Sequence, residues 1–515
     1  MTRRPRARAP VRHHGGIVSD LHDGPSGGRL RRDLGLVGLA AAGIGSMVGA
    51  GINIVPFALQ RSVPGIGEYV LPAYFIAAVP AVLAALCYAM LGSAMPRAGG
   101  SYVYASRAIG PYTGFLASFS QWFGLCIAIG VVSYVIPPFL RDTARAAQWT
   151  DLAAALDQRG VRLALALGFL WLFVLVNLRG VRAVTRTLVP LVGLVFVCSG
   201  LVIVTGFSHG PDEYRALVAA RGEGAMLAGQ SGDFWTVVPP AAAVLFSSFI
   251  GFDVIAQAGG EARNPSRTLP LAIGLAIGTV GIFYFAFTGA VYRAVPWQYV
   301  AAASATGDVT APGLLTPLVS PAVGVLMMSG AALALIKDLP GMLLGVSRLC
   351  FAWAEDGVFP RAMASVDAAN GTPRTALFVS AILSTLGILG GHFAGDFFLG
   401  VDILVTAMLV NFIIMACSVL RLPGHNPALA REVRVLRARW AQVLVAIVAL
   451  VTLSALLWVH SYRDLTADVP GWYARSTLVW LAVMAIGTLV YWRETRALAA
   501  RGGDLRAITY VLPAE

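Results

Sequence analysis

An all-α integral membrane protein of about twelve transmembrane helices is the fold class this sequence predicts, and three observations predict it. Of 515 residues, 57% are hydrophobic and 12% charged, with a mean hydropathy of +0.74. A water-soluble domain carries about twice that charged share to cover its surface. The apolar residues come in runs of roughly 18 to 25, the length that crosses a ~30 Å hydrocarbon core. The charges between the runs then fall unevenly. If both termini are cytoplasmic, 27 of the 37 arginines lie in cytoplasmic segments and 10 in outer ones. That is the positive-inside asymmetry, and it requires an even number of spans.

Taken in order, spans are expected near 34–60, 70–94, 113–140, 161–178, 184–206, 237–259, 269–293, 318–352, 373–391, 397–420, 440–460 and 474–492. The net charge of +12 is a consequence of topology, because the basic residues are dispersed over membrane-proximal loops. Nucleic-acid binding would need them gathered on one soluble face. The opening MTRRPRARAPVRHHGG is basic and has no apolar stretch of the kind a cleavable signal needs. It reads as a disordered tail within reach of anionic lipid. The longest connections, near 207–236 and 294–317, are too short to fold alone; the second is expected to cap an outer vestibule. The five cysteines (Cys87, Cys126, Cys198, Cys350, Cys417) sit singly in apolar runs, with neither disulfide nor metal-ligand spacing. No HExxH motif is present, and neither enzyme chemistry, a metal nor a cofactor is expected.

Two spans look interrupted. The first contains G-I-G-S-M-V-G-A-G at 43–51, where six of nine residues are Gly, Ala or Ser. Glycine costs a helix roughly 1 kcal/mol per residue relative to alanine. The sixth contains S-S-F-I-G-F-D at 247–253, with Gly251 and a charged Asp253 at membrane depth. Unwound backbone inside a bilayer persists only where protein or an aqueous cavity satisfies its polar groups. Two broken helices five spans apart mark the substrate site of a secondary transporter. Half-helix N-termini offer N–H groups to a carboxylate, and exposed C-terminal carbonyls accept from an ammonium. An α-amino acid carries both groups. The competing reading of the first stretch is a close helix-packing surface.

At these residues the sequence resembles the amino acid–polyamine–organocation permease superfamily. The matching stretches are GIGSMVGAGI (43–52), PRAGGSYVYASRAIGP (96–111), FIGFDVIAQAGGEARNPSRTLPLAI (249–273), SRLCFAWAEDGVFP (347–360) and GTPRTAL (371–377). The resemblance implies a fold of two inverted five-helix repeats with discontinuous helices 1 and 6. It divides the chain into a tail (1–33), a first repeat (34–206), an outer loop (207–236), a second repeat (237–420), two peripheral helices (421–495) and a cytoplasmic C-terminus (496–515). It implies that backbone around Ser46, Gly49, Ala50 and Gly51 holds the substrate carboxylate, and backbone around Phe246, Ser247, Phe249 and Ile250 its amino group. Phe252 matches an aromatic that closes over the substrate. Arg97, Glu261 and Arg263 are expected to pair as inner-gate contacts, with plain loop stabilisation as the alternative.

Lys337 is the sole lysine of the chain, in A-L-I-K-D-L-P-G inside the eighth span. An intramembrane ionisable residue is a functional candidate because burying it is costly. An ammonium, unlike a guanidinium, can also give up its proton when desolvated. In sodium-coupled relatives this region offers hydroxyl ligands, and in some proton-coupled ones a lysine from helix five reaches the same cavity. Here helix five reads Gly193 or a neighbour, and Lys337 becomes the coupling candidate, either titrating or standing as a fixed cation. The alternative is a structural pair with Asp338, Asp402 or Asp253. Asp338 is the poorest of these on a continuous helix, where adjacent residues do not face each other. Asp253 and Asp402 are secondary candidates for a cationic substrate, against an ordering role for Asp253 and an interfacial one for Asp402. Gln121, Trp122, Phe123 and Asn411 are possible pocket residues, while His392 and His460 read as interfacial. The expectation is proton-coupled symport of neutral amino acids across the cell (inner) membrane. An exchanger or uniporter of basic amino acids or polyamines, or a non-transporting substrate sensor, is the alternative.

Overall fold

The computed structural model describes residues 32–307, 309–394, 397–469 and 471–513. Of the expected tail (1–33), residues 1–31 lie outside them. Among the described residues, β pairing is confined to two isolated bridges, Leu34 with Ala262 and Ala98 with Ala258. Among the described residues, eleven helices are long and apolar enough to cross a membrane, and a shorter apolar helix runs from Phe234 to Phe249.

The first span comes in two pieces, α1 (Leu36–Met47) and α2 (Ala50–Ser62), and the second is α3 (Val70–Ala94). A short helix α4 (Gly100–Ala108) leads into the third span, α5 (Pro111–Ala146). After α6 (Thr150–Asp157) come the fourth and fifth spans, α7 (Arg159–Leu178) and α8 (Val181–Ser208), followed by α9 (Pro211–Ala220). The sixth crossing is α10 (Phe234–Leu245), a 3₁₀ turn at Phe246–Phe249 and α11 (Asp253–Gln257). The seventh is α12 (Pro265–Ala294), with α13 (Trp297–Thr306) and α14 (Ala311–Leu315) after it. The eighth is divided between α15 (Pro321–Ile336) and α16 (Asp338–Glu355). Then come α17 (Arg374–Ala394), α18 (Phe397–His425), α19 (Pro427–Arg431), α20 (Arg439–Thr466), α21 (Ser476–Ala500) and α22 (Leu505–Tyr510).

Proline opens α5, α9, α12, α15 and α19, where its preset φ suits the first turn and its missing N–H costs nothing. Among the described residues, eleven of the expected twelve spans thus register by length, the first and eighth of them in two pieces, and the sixth is broken into pieces too short to do so. The third and twelfth spans run past their expected ends at 140 and 492. There Arg141, Arg145, Arg493 and Arg496 continue the helix where hydropathy no longer marks it.

Burial separates centre from periphery. About seven-tenths of the apolar window of the first and third spans is buried (71% and 72%), against 28% and 22% in α20 and α21. Ile282, Val451 and Trp458 stand exposed on the outside, as apolar side chains do where lipid replaces water. The core is therefore built around α1–α2 and α5, and the two interrupted spans meet there.

Candidate functional site

The two breaks touch. After Met47 the chain leaves the helix for Val48 and Gly49, whose φ/ψ of −138°/−131° suits glycine. Opposite it, Gly251 takes φ +135°, and a Cβ there would fall 2.6 Å from the carbonyl oxygen of Ser46. Both the dihedral and the contact demand glycine. The carbonyls loosened by unwinding are satisfied from elsewhere. The Tyr284 hydroxyl, on α12, lies 2.5 Å from the Met47 oxygen and 2.9 Å from that of Ser248, and so clamps both breaks. Lys337 Nζ donates to the Gly45 carbonyl at 2.7 Å, and Asn53 Nδ2 to that of Gly49 at 3.2 Å. Tyr74 Oη donates to Ser248 Oγ at 3.1 Å. Unwound backbone at membrane depth is thereby paid for by side chains of neighbouring spans.

Lys337 takes as partner the residue that helix geometry ranked last: its Nζ is 2.7 Å from Asp338 Oδ1, and both groups are buried. The correction has a local cause. The eighth span is interrupted at Lys337, where ψ is −17°, and Pro340 has no N–H to give the carbonyl of Ile336. Side chains at 337 and 338 then reach a common point. The apolar side chain of helix five that meets this junction is Leu188, beside Gly45 and Gly341, whereas Gly193 is exposed on the outer side.

A cavity of about 80 Å³ opens beside the breaks. That is several times the ~10–15 Å³ one water needs, so it admits a solute of several atoms. Its walls are Ser46, Met47, Gly51 and Val55 of the first span, and Ser247, Ser248, Ile250 and Gly251 of the sixth. Leu125, Ala128, Val131 and Val132 of α5, Asp338 and Met342 of α16, and Gly400, Val401 and Leu404 of α18 complete it. Of the residues singled out from sequence, Ser46, Gly51, Ser247 and Ile250 line this cavity. Gly49 lies at the break under Asp338, and Ala50 opens α2. Lys337 is behind Asp338. Phe246 and Phe249 pack away from it, Phe246 on Phe412 and Phe249 on Tyr74 and Tyr284. Phe252 is stacked on Phe412 with ring centroids 5.2 Å apart and meets Tyr88 edge-on.

Beyond Phe252, toward α4, the path is filled. Asp253 accepts from the Gly251 N–H at 3.1 Å and from Gln121 Nε2. Gln121 Oε1 accepts from Ser101 Oγ at 2.5 Å and Gln257 Nε2 at 3.1 Å. Tyr88 Oη is 2.7 Å from Ser101 Oγ and accepts from Asn411 Nδ2 at 2.6 Å. Gln121 and Asn411 thus belong to a buried network that ties α3, α4, α5, α11 and α18 together. Trp122 donates to Ser380 Oγ at 2.9 Å and packs on Trp353; neither it nor Phe123 lines the cavity.

At the α4 face, two buried ion pairs close the molecule. Glu261 pairs with Arg348 at 2.6 and 3.2 Å, rather than with Arg97 or Arg263. Arg107 grips both oxygens of Asp356. Backbone bonds join Leu34 to Glu261 and Arg263, at 2.9 and 2.8 Å. Arg97 instead donates to the Pro513 carbonyl at 2.9 Å, Arg107 Nε to that of Val511 at 3.1 Å and Asn426 to that of Tyr510 at 2.9 Å. The C-terminal segment is therefore pinned across the same face. Asp402 is 3.5 Å from Arg463, and His460 Nε2 lies 3.2 Å from the Asp402 carbonyl. His392 meets the Tyr134 hydroxyl at 3.0 Å, far from the breaks in the wall of a separate surface cleft.

Sequence reasoning missed Tyr284, Tyr74 and Arg348, and named Asp338 only as the poorest partner for Lys337. The phenols stand in apolar runs, where an aromatic ordinarily packs, and nothing local signals a partner.

Comparison with known proteins agrees with this architecture. A family model described as amino acid permease matches residues 34–489. An uncharacterized transporter of Mycobacterium tuberculosis is 30% identical over 362 residues, 69% of this chain and 74% of that protein. A cadaverine/lysine antiporter of Escherichia coli is 28% identical over 423 residues, 76% of this chain and 87% of its own. A methylthioribose transporter of Bacillus subtilis is 23% identical over 477 residues, 91% and 94% of the two chains. Since the family match runs from Leu34, two residues before the first broken span, into α21, the chain belongs to the amino acid permease family.

Proposed function

We propose that this chain carries a small organic solute bearing an amino group across the cell membrane by alternating access, driven by protons. The observation that carries the reading is the junction itself. Two broken helices face each other across a small cavity, and the only lysine of the chain is bonded to one of them. The relative that exchanges cadaverine for lysine supports a solute with an amino group. Neutral amino acids, basic amino acids and amines all satisfy that description.

The rest of the molecule supports one half of a transport cycle. The cavity walls include Val131, Val132, Gly400 and Val401, which lie toward the face opposite α4. In the other direction, Phe252, the Asp253–Gln121 network and the two ion pairs block the way. With both termini cytoplasmic, this is a form closed to the cytoplasm. Inward release then requires the Glu261–Arg348 and Arg107–Asp356 pairs to part. Lys337 and Asp338 form the protonatable pair nearest the break, and a proton gained or lost there changes the charge beside the Gly45 carbonyl. Asp253, held by Gly251 and Gln121, orders the sixth break.

The test is uptake by reconstituted protein. Lys337→Met is expected to abolish gradient-driven uptake while leaving the protein folded. Undiminished uptake with unchanged dependence on the proton gradient would remove Lys337 from the coupling mechanism.

A further inference from the structure

We infer that the solute this cavity selects carries an ammonium group and no carboxylate, because Asp338 already fills the anion-binding pole beside it. The inference rests on the cavity being the substrate site.

Two helix poles border the cavity. One is the N-terminus of α2, a 13-residue helix whose first N–H groups and partial positive charge favour an anion. The carboxylate of Asp338 lies directly over it. A Cβ built on Gly49 would fall 1.6 Å from Asp338 Oδ2 and 2.7 Å from Oδ1, so the close approach exists only because residue 49 is glycine. Asp338 is also held in place. Its Oδ1 is 2.7 Å from Lys337 Nζ, and that nitrogen is fixed in turn by the Gly45 carbonyl at 2.7 Å. A second carboxylate brought to this pole would find its place taken by the Asp338 carboxylate, with the balancing Lys337 ammonium behind it and turned to the Gly45 carbonyl.

The other pole has no charged tenant among the cavity walls; the Tyr284 hydroxyl lies 2.9 Å from the Ser248 carbonyl and the Ile250 N–H 3.2 Å from that of Ser247, and an ammonium would share these oxygens. The helix α10 and its 3₁₀ turn end at the cavity, where Ser247, Ser248 and Ile250 line it. A helix C-terminus presents carbonyl oxygens and partial negative charge, which suit an ammonium. The remaining wall is largely hydrocarbon, with Val55, Leu125, Met342 and Leu404. One positive group and an apolar body match these surfaces, which describes an alkyl or aralkyl amine. The glycine-rich first break keeps the family's anion pole, but the chain has supplied its own anion.

The test compares amines with the amino acids they derive from. Binding to purified full-length protein is measured for three pairs: isoamylamine and leucine, phenethylamine and phenylalanine, cadaverine and lysine. In at least one pair the amine is expected to bind tenfold or more tightly than its amino acid, and in none the reverse. Amines that bind less than tenfold more tightly than their amino acids in all three pairs, an amino acid that binds more tightly than its amine in any pair, or a protein that binds none of the three amines overturns the inference. Asp338→Asn is expected to reduce the preference within the binding pair at least tenfold. Should that variant fail to fold, Lys337→Met/Asp338→Asn removes both charges and reads the same preference. A preference unchanged in the folded variant also overturns the inference. Flux assays separate this from the transport reading. An amine that binds without crossing proteoliposomes leaves the selection standing and sinks transport. Accumulation of leucine but not of isoamylamine keeps transport and sinks the selection.

Discussion

Tyr284 is the residue on which both breaks hang. Its hydroxyl meets the carbonyls of Met47 and Ser248, and its ring packs between Tyr74, Phe249 and Phe283. Tyr284→Phe keeps the ring and removes the one O–H that the two carbonyls share; the Met47 oxygen still accepts from the Gly49 N–H at 3.0 Å, so the Ser248 carbonyl is left short of a donor, at a cost of about 1–3 kcal/mol. We expect the variant to fold and its transport rate to fall at least tenfold, measured by initial uptake. A rate within twofold of the parent would show that the breaks stand without the clamp. Gly251→Ala is expected to do worse. Its Cβ would press on the Ser46 carbonyl, and φ near +135° strains any side chain. Loss of folded protein in size-exclusion chromatography is the expected outcome, whereas Gly274→Ala, which meets nothing within 4 Å, should be silent. These glycines were partly legible in the sequence. Glycine density marked the first break, and Gly251 with the charged Asp253 marked the sixth, since composition is local. Their partners were not, because Tyr284 lies 237 residues from Met47 and sits in an ordinary apolar run.

Helices and loops around the α4 face act together as a seal. The bridge at Leu34–Ala262 and the bridge at Ala98–Ala258 draw the first, second and sixth spans onto one another. Gly99 takes φ +81° with Ala352 against it, so the PRAGGS stretch and α16 pack without room for a side chain. Removing one partner of a buried ion pair leaves the other charge uncompensated, which costs about 3–5 kcal/mol. Glu261→Gln is therefore expected to loosen this face. Hydrogen exchange should rise at the amides of Leu34 and Arg263, which bond across it. Unchanged protection there would mean that Glu261–Arg348 does not hold the seal. Shortening the chain after Leu505 removes the carbonyls that Arg97, Arg107 and Asn426 hold, and should raise exchange at the same amides, to a smaller extent. The sequence pointed to this region through PRAGG and EARNPSR, but paired the wrong residues. Arg348 lies 87 residues from Glu261, in a span where a lone arginine near the end reads as an interfacial charge.

For the whole molecule, class and span order were legible because a bilayer imposes length and hydropathy on every crossing helix. The expected spans and the observed helices agree to within a few residues at most ends, with the longest overruns where arginines extend a helix beyond its apolar run. The cavity was less legible. Ser46, Gly51, Ser247 and Ile250 came from the family resemblance at the two breaks, but Leu125, Met342 and Leu404 carry no mark that separates a cavity wall from a packed core. The Lys337–Asp338 pair shows why. Lysine at membrane depth identified the position, and only the interruption of the eighth span revealed its partner. The ion pair, the two half-helices and the closed α4 face make one account: a carrier caught with one side sealed. The most direct measurement is uptake into proteoliposomes of a labelled mixture of amino acids and their amines, with and without an imposed proton gradient. The account predicts gradient-stimulated accumulation of at least one amine-bearing solute, abolished by Lys337→Met. No uptake of any of them by folded, reconstituted protein would contradict it.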